Sequence, residues 1–455
     1  MKLGIAILAA GQGTRMKSNL PKVLHLLAGR PLLRHVLATA QELGAARICV
    51  VQGPGDGQVS SALAGIDCEW VTQEERHGTG HALIQAMPLL RDMDRVLVLY
   101  GDIPLIRAET LQKLSAAAAR APLGILTATL ADPFGYGRIL RGPNGQVMGI
   151  VEARDASEAE LAIQEINTGF LVADRAKLDN WLSRLDNHNA QGEYYLTDIV
   201  ALARGDGETI ATCQADREEE ILGINDRLQL ADLERRYQRR IAEDLMREGV
   251  TLLDPQRFDV RGRLRAGHDV TIDINCLFEG EVELGDGVSI GPNCLLTDCS
   301  IGANSRVLAN SVIENARTGQ DTQIGPFARL RPEADIANGA HIGNFVEIKK
   351  ATIGPGTKVS HLTYIGDARI GGNVNIGAGT ITCNYDGVNK HLTQIGEGAF
   401  IGSNTALVAP VRVGAGATIG AGSVIGRDAP ADKLTLTRAP QKTIDHWTRP
   451  VKKPK

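Results

Sequence analysis

Aromatic residues are scarce in this chain: they fill 4% of its 455 positions, with 7 Phe, 7 Tyr and 3 Trp. At roughly 150 residues per domain the length suits two or three domains, and two ordinary cores would use more rings than this. Long apolar runs are missing as well. None approaches the roughly 18 residues a membrane span needs. Leu3 to Ala10 is followed at once by Gly11, Gly13, Arg15 and Lys17, so it reads as a buried strand entering a loop, not as a secretory signal. Positive charge is not in excess either: the formal net charge is -4, which argues against a generally basic nucleic-acid binder. The 7 Cys are odd in number and form no CxxC pair. No disulfide frame or zinc site is expected, and a reducing, cytoplasmic setting is. Against these absences stand 43% hydrophobic and 22% charged residues, ample for packed cores and incompatible with a disordered or collagen-like chain.

Up to about residue 225, short apolar runs alternate with helix-like stretches. Gly4 to Ala10, Arg47 to Val51, Arg95 to Tyr100 and Gly124 to Leu130 read as buried strands, while Pro31 to Leu43 and Thr110 to Arg120 are apolar at helical spacing. Such alternation predicts an α/β domain with a mostly parallel sheet covered on both faces. From Asn225 to Glu248 the pattern changes: Leu230, Leu233, Tyr237, Ile241 and Leu245 form one stripe, and Gly249 follows as a stop. This predicts one long amphipathic helix. It either links two domains or belongs to the core of the first.

Beyond Gly249 a period of six replaces the helical one. Ile395, Ile401, Leu407, Val413, Ile419 and Ile425 keep it, and so does the earlier run Leu264, Val270, Cys276, Val282, Val288, Cys294. Ile342 with Ile348, Ile353 with Val359, and Ile370 with Ile376 continue the beat, with slips between them. Six residues per side suit a three-sided parallel β-helix, with one apolar residue per side pointing inward and Gly easing the corners. At about 18 residues per coil this region makes roughly ten coils. Coils this narrow admit Ile, Val and Cys but few rings, which accounts for the missing aromatics, and Cys276 and Cys294 read as small core hydrophobes. Gly377 to Gln394 (GAGTITCNYDGVNKHLTQ) breaks the beat with polar residues and is expected to leave the prism as a loop.

The first chemical signal is Leu8-Ala-Ala-Gly-Gln-Gly-Thr-Arg-Met16, following the first strand. Its glycines permit close backbone approach to phosphate oxygens. A P-loop and a dinucleotide fingerprint both fail at Met16, where each needs Gly. Taken alone, the loop is a tight turn. Arg15 and Lys22 lie within reach as phosphate partners, and Asp102 of Tyr100-Gly101-Asp102 ends an apolar strand where a carboxylate is well placed to hold Mg²⁺. Singly, the two cations read equally as surface charges and Asp102 as a turn residue or helix cap.

LAAGQGTRM with Lys22, Gln73 with His77-Gly78-Thr79-Gly80-His81, YGD at 100–102, GYGRI at 135–139, VE at 151–152 and EINTG at 165–169 resemble sugar-nucleotide pyrophosphorylases. With a hexapeptide β-helix behind them, the whole chain resembles the bacterial bifunctional N-acetylglucosamine-1-phosphate uridylyltransferase / glucosamine-1-phosphate N-acetyltransferase family. The resemblance implies a Rossmann-like nucleotidyltransferase domain at 1–225, a linker helix at 226–249, a left-handed β-helix acetyltransferase domain at 250–430 and a tail at 431–455. It implies that Leu8, Ala9, Ala10, Gly11, Gln73, Gly78 and Thr79 contact a uridine nucleotide, with Tyr100, Gly101 and Asp102 beside it. Lys22 and Arg15 would stabilise phosphate charge, and Gly137, Glu152 and Asn167 would hold the N-acetylglucosamine moiety. Asp102 and Asn225 would bind Mg²⁺. Read without the family, Glu152 is a surface carboxylate, Asn167 a turn former and Asn225 an N-cap for the helix.

In the β-helix the resemblance implies that Arg331, Lys349, Tyr364 and Asn375 bind glucosamine-1-phosphate, the two cations suiting its phosphate. His361 resembles the general base that acetyl transfer to an amine requires. Glu347, 14 residues before His361 and close to one coil away, is a candidate to orient it. Ala378, Asn384, Tyr385, Ser403, Ala421 and Arg438 match the acetyl-CoA site. The tail carries 7 Lys/Arg and 2 Asp, and Arg438 with its neighbours is expected to lie over the coenzyme A phosphates. The family further implies a homotrimer with acetyl-transfer sites between subunits, small-molecule substrates (UTP, acetyl-CoA and the two sugar phosphates), and no nucleic-acid or membrane partner. The runner-up is a nucleotidyltransferase of single activity whose β-helix serves assembly or regulation; His361, Asn384, Tyr385 and Arg438 argue against it. A non-catalytic sugar-nucleotide scaffold is disfavoured by Lys22 and Asp102.

Overall fold

A computed structural model describes residues 1–55 and 57–452. The chain divides into two compact units, the first Met1–Tyr237 and the second starting at Gln238.

Unit 1 is an α/β domain. The strands of its main sheet are β1 (Leu3–Ala9), β2 (Arg47–Gln52), β3 (Glu69–Thr72), β4 (Arg95–Tyr100), β5 (Leu123–Thr129), β6 (Arg138–Arg141), β7 (Val147–Val151), β8 (Glu165–Asp174) and β9 (Ile210–Gln214). The order across the sheet is β9-β5-β8-β4-β1-β2-β3, with the β6–β7 hairpin attached to β8. β1 pairs in parallel with β2 and β4. Side chains alternate along β1, as the pleat demands: Ile5, Ile7 and Ala9 enter one core with Leu33, Val36 and Leu37 of α1 (Leu32–Glu42). Ala6 and Leu8 enter the other with Ala82, Leu83 and Ala86 of α2 (Thr79–Ala86). Burial on both faces is why the strand is an unbroken apolar run.

All four strands expected from the apolar runs are present within a residue or two, and β3, β8 and β9 join them. The sheet is not parallel throughout: β8 runs antiparallel between β4 and β5. Its N-terminal residues therefore arrive at the edge where β1, β3 and β4 end. A register shift between Asn167 and Leu171 interrupts the β8–β5 ladder there.

The long helix spans Arg227–Arg247, and the boundary between the units falls inside it. Within unit 1, Leu233 packs with Met16, Leu27, Leu32, Leu105 and Ile224. Within unit 2, Ala242 and Leu245 close the end of the β-helix core. The stripe thus packs into the core of the first unit at Leu233 and into that of the second at Leu245. Gln238 joins the first coil as a strand would, its amide donating to Val260 O and accepting from Val260 N–H, both at 2.8 Å.

Unit 2 is a left-handed parallel β-helix. Ile272, Ile290, Val307, Ile324, Ile342, Val359, Ile376, Ile401 and Ile419 stack on one side as consecutive rungs and are buried, as are the beat residues Val270, Cys276, Val282, Val288 and Cys294. The register explains the slips: Ile272 to Ile290 is a step of 18, Ile290 to Val307 one of 17. Corners use more than Gly. Asn275, Asn293 and Asn310 hold the left-handed conformation at one corner, followed by Phe327, Phe345 and Leu362. Asn tolerates that region through local hydrogen bonding, whereas bulky residues do not. Pairing of Leu434–Thr435 with Thr418–Ile419 carries the helix past residue 430.

The expected loop is there. Ile381 pairs with Ala406, a step of 25, against 18 from Ala406 to Val424. The excess forms a hairpin-like excursion, tied by a Tyr385–Lys390 bridge and by His391 N–H donating to Asn384 O at 2.8 Å. No helix among the described residues is long and apolar enough to cross a membrane.

Candidate active sites

In unit 1 the ends of β1, β3 and β4 border a cavity of about 570 Å³. Leu8, Ala9, Ala10, Gly11, Lys22, Gln73, Gly78, Thr79, Tyr100 and Asp102, all singled out from the sequence, line it. Gly13 holds the loop against Lys22: its φ is 63°, and a Cβ there would lie 2.7 Å from Lys22 Cβ. Lys22 is buried, and its ammonium forms an ion pair with Asp102. The same Nζ donates to Asn225 Oδ1 at 3.3 Å. Two oxygens from distant parts of the chain thus converge on one cation. Asn225 is free to do so because Asp226, not Asn225, caps the long helix, its Oδ1 accepting from the N–H groups of Leu228 and Gln229, both at 2.9 Å.

A second group adjoins Tyr100. Thr197 Oγ1 donates to Glu152 Oε1 at 3.0 Å, Asn167 N–H donates to Gly137 O at 2.8 Å, and Glu152 Oε2 lies 3.3 Å from where a Cβ on Gly137 would be. Burial raises the pKa of Glu152, partly offset by the Thr197 hydroxyl. Burial, then the charges of Glu152 and Asp102, raise that of the Tyr100 phenol. Gly101 is buried at the end of β4. Arg15 is the exception. It is exposed on the turn Thr14–Met16 and does not line the cavity. The sequence reading missed Gln12, Arg76 and Glu193, which do; Arg76 Nε donates to Ala10 O at 2.7 Å and so fixes the loop. Gln12 lies within the first motif and Arg76 beside the second, whereas nothing in the sequence near Glu193 marks it.

In unit 2, Asn344, His361, Ala378, Ser403 and Ala421 form one corner column on successive coils. Asn344 pairs with His361, and Leu362 N–H donates to Asn344 O, Asn404 N–H to Ala378 O and Gly422 N–H to Ser403 O at 3.0, 2.7 and 2.8 Å. At about 4.8 Å per coil the column is roughly 19 Å long. Arg438 Cδ reaches its far end, 3.9 Å from where a Cβ on Gly422 would be.

His361 Nδ1 lies 2.6 Å from Asn344 Oδ1. Glu347 does not orient His361; it accepts from Arg331 Nη1 at 2.8 Å. A coil here is 17 residues, so the neighbour of His361 is Asn344, and Glu347 pairs with Tyr364. Arg331 and Lys349 occupy equivalent places on adjacent coils, and the positive charges of Lys390 and then Arg331 lower the pKa of Lys349. Lys390, from the excursion, was not anticipated. Gly366 leaves room for two of the expected residues: a Cβ there would meet Tyr364 Oη at 2.3 Å and Asn384 Nδ2 at 2.9 Å. Asn384 is anchored by donating to Asp367 Oδ2 at 2.5 Å. Tyr385 stands exposed on the excursion. Asn375 lies apart from this group, on the other sheet between Lys358 and Phe400.

A nucleotide-sized cavity at the strand ends of an α/β unit, followed by a polar corner on a hexapeptide β-helix, defines a two-site transferase. Residues 5–165 match the MobA-like NTP transferase domain family, and residues 392–427 match the bacterial transferase hexapeptide family of six repeats. The chain is 55% identical over 453 residues to the bifunctional protein GlmU of Idiomarina loihiensis, covering 100% of this chain and 99% of that one. It is 56% identical over 452 residues to that of Alkalilimnicola ehrlichii, covering 99% and 97%. With that of Aromatoleum aromaticum it shares 56% over 449 residues, covering 99% of each. The chain belongs to the bifunctional GlmU family. It is a nucleotidyltransferase in its first unit and an acetyltransferase of hexapeptide type in its second.

Proposed function

We propose that unit 2 transfers an acetyl group from acetyl-CoA to glucosamine-1-phosphate, and that unit 1 then couples the product to UTP, through the residues described above. The result is UDP-N-acetylglucosamine and pyrophosphate. The corner column carries this reading of unit 2, because a purely structural prism has no need of both a His–Asn pair at one corner and a cluster of three cationic side chains. Asn344 Oδ1 accepts from Nδ1–H of His361, which leaves Nε2 as the basic nitrogen. That nitrogen takes the proton from the sugar amine as the amine attacks the thioester carbonyl. The C–S bond then breaks, and the proton passes from the imidazolium to the departing thiolate. Arg331, Lys349 and Lys390 hold the sugar phosphate, an anion that relieves their mutual repulsion. Ala378, Ser403 and Ala421 lead the coenzyme along the column to Arg438, with Asn384 and Tyr385 beside it.

In unit 1 a phosphate oxygen of N-acetylglucosamine-1-phosphate attacks the α-phosphorus of UTP in line, and the bond to pyrophosphate breaks. Positioning and charge stabilisation suffice, and no enzyme nucleophile is needed. Lys22 and loop N–H groups bind the phosphates; Glu152, Asn167 and Gly137 hold the sugar. Asp102 and Asn225 fit Mg²⁺, since their oxygens already converge on one cation, and a carboxylate plus an amide oxygen suits a metal that keeps water and substrate phosphates as its other ligands. Bound there, Mg²⁺ would neutralise phosphate charge. Arg15, exposed as it is, would act only if its turn closes on the substrate.

The assembly we propose is a homotrimer. Phe327, Phe345 and Leu362 are exposed, the two rings stack at 5.3 Å, and this apolar ladder runs directly beside Asn344 and His361. A second copy seated on it would border the acetyl-transfer site.

The decisive test measures both half-reactions separately on wild type, His361→Ala and Asn344→Leu. Loss of a general base is expected to lower acetyl transfer by about 10²–10⁴-fold, and loss of its orienting amide by about 10-fold, with uridylyl transfer unchanged. Wild type without acetyl transfer would sink the two-site reading.

A further inference from the structure

The nucleotide cavity contains a side chain whose hydrogen-bonding polarity is set by its neighbours. Gln73 follows β3 and is 3% exposed. Its Nε2 donates to Gly78 O at 3.1 Å. A carbonyl oxygen can only accept, so this contact alone assigns the amide nitrogen to that side. Nε2 also lies 3.0 Å from His81 Nδ1. With Nδ1 accepting, the proton of the neutral ring sits on Nε2, and Gln85, whose amide nitrogen lies 3.3 Å from that edge, must turn its oxygen to the ring to accept it. Burial, and then the nearby His77, lower the pKa of His81 and favour that neutral ring.

Both amide hydrogens of Gln73 are thereby committed within the protein, and only Oε1 is left for a ligand. An acceptor at this position suits a base with a ring N–H donor, as uracil has at N3. It opposes cytosine, whose N3 is itself an acceptor. Sites built around one hydrogen-bond polarity reject the mismatched analogue strongly, because a buried polar group is then left unpaired.

We propose that His81 is a positioning residue for pyrimidine selection: by accepting the second N–H of Gln73 it locks the amide with its oxygen toward the nucleobase, so that uridine is chosen over cytidine. The inference rests on the reading of the cavity as a nucleotide site. Without His81 a buried N–H of Gln73 lacks a partner, and the amide can turn over and donate to the base instead. Asn is the conservative replacement, since its side-chain oxygen can accept where Nδ1 did.

The test compares kcat/KM for UTP and CTP in the uridylyl-transfer assay for wild type, His81→Leu, His81→Asn and Gln73→Leu. The Leu variant at 81 is expected to lose about 10–100-fold with UTP and to narrow the UTP-to-CTP ratio at least about tenfold, while the Asn variant keeps most of the ratio. A merely structural His81 would weaken both nucleotides alike and leave the ratio standing, which overturns the proposal. So would equal narrowing by Leu and Asn. The Asn variant is a test by itself if the Leu variant fails to fold, because a collapsed ratio there contradicts the lock. Gln73→Leu separates the two levels: an unchanged ratio in that variant removes the nucleotide reading of Gln73, whereas a collapsed ratio there with an intact one in His81→Leu removes the lock alone.

Discussion

Burial, reinforced by Asp186, Glu152 and Asp155, lifts the Asp198 carboxyl from 3.8 to about 6. Asp198 opens the helix Asp198–Gly205, next to Thr197, which holds Glu152. The folded state therefore takes up a proton near pH 6 that the unfolded chain does not bind until about pH 3.9. Ionised Asp198 destabilises unit 1 above pH 6, and the penalty fades as the pH falls towards 4. Asp198→Asn should raise the Tm of unit 1 at pH 8 by about 2–4 °C for each kcal/mol relieved, and the gap from wild type should narrow steadily below about pH 6 and close only below about pH 3.9, the unfolded pKa. Equal Tm values at pH 8 would show that the carboxylate carries no such penalty. Single side chains are also where sequence reading and structure part. Gly137, Glu152 and Asn167, which we propose hold the sugar, are legible as motifs, but their gathering around Tyr100 depends on β8 running antiparallel. A spacing of 14 residues points to Glu347 as the group that orients His361, whereas Asn344 holds that place because the local coil is 17.

At the scale of elements, the six-residue beat is a local property, so most of the β-helix could be read directly, including the excursion that breaks it. Each buried rung contributes about 1.5–3 kcal/mol of apolar burial, and rungs on either side of the excursion continue unbroken: Ile370 pairs with Ile395 and Ile376 with Ile401. The excursion is an addition to a complete coil. Removing residues 385–391 joins Asn384 to Leu392, whose neighbour His391 already meets Asn384 through the backbone, and restores a coil of ordinary length. That deletion is expected to leave the Tm of unit 2 within about 3 °C of wild type, to abolish acetyl transfer through loss of Tyr385 and Lys390, and to leave uridylyl transfer intact. Retained acetyl transfer would take the loop out of the site.

For the whole molecule, the cost of the exposed corner is informative. Phe327, Phe345 and Leu362 each hold a left-handed backbone, at roughly 1–2 kcal/mol apiece, where neighbouring coils use Asn310 and Gly379. A second copy of the chain that buries these side chains would offset that cost. Phe327→Glu combined with Phe345→Glu stacks two like charges at the ladder. Sedimentation velocity should then report a monomer in place of a trimer, with acetyl transfer lost and uridylyl transfer kept. A variant that stays trimeric, or a monomer fully active in acetyl transfer, would contradict the proposed assembly. The amino-acid order by itself determined the α/β alternation, the six-residue beat, the long helix, the broken coil and the motifs that mark both sites, because periodicity and turn chemistry act over a few residues. Only the tertiary structure decided which groups meet: Asn344 on His361, Lys390 beside Lys349, Asp226 rather than Asn225 at the helix cap, and Asn225 with Asp102 on Lys22. Coil length, sheet order and side-chain packing set most of these contacts, across separations of 17 to 203 residues, and no local pattern encodes them.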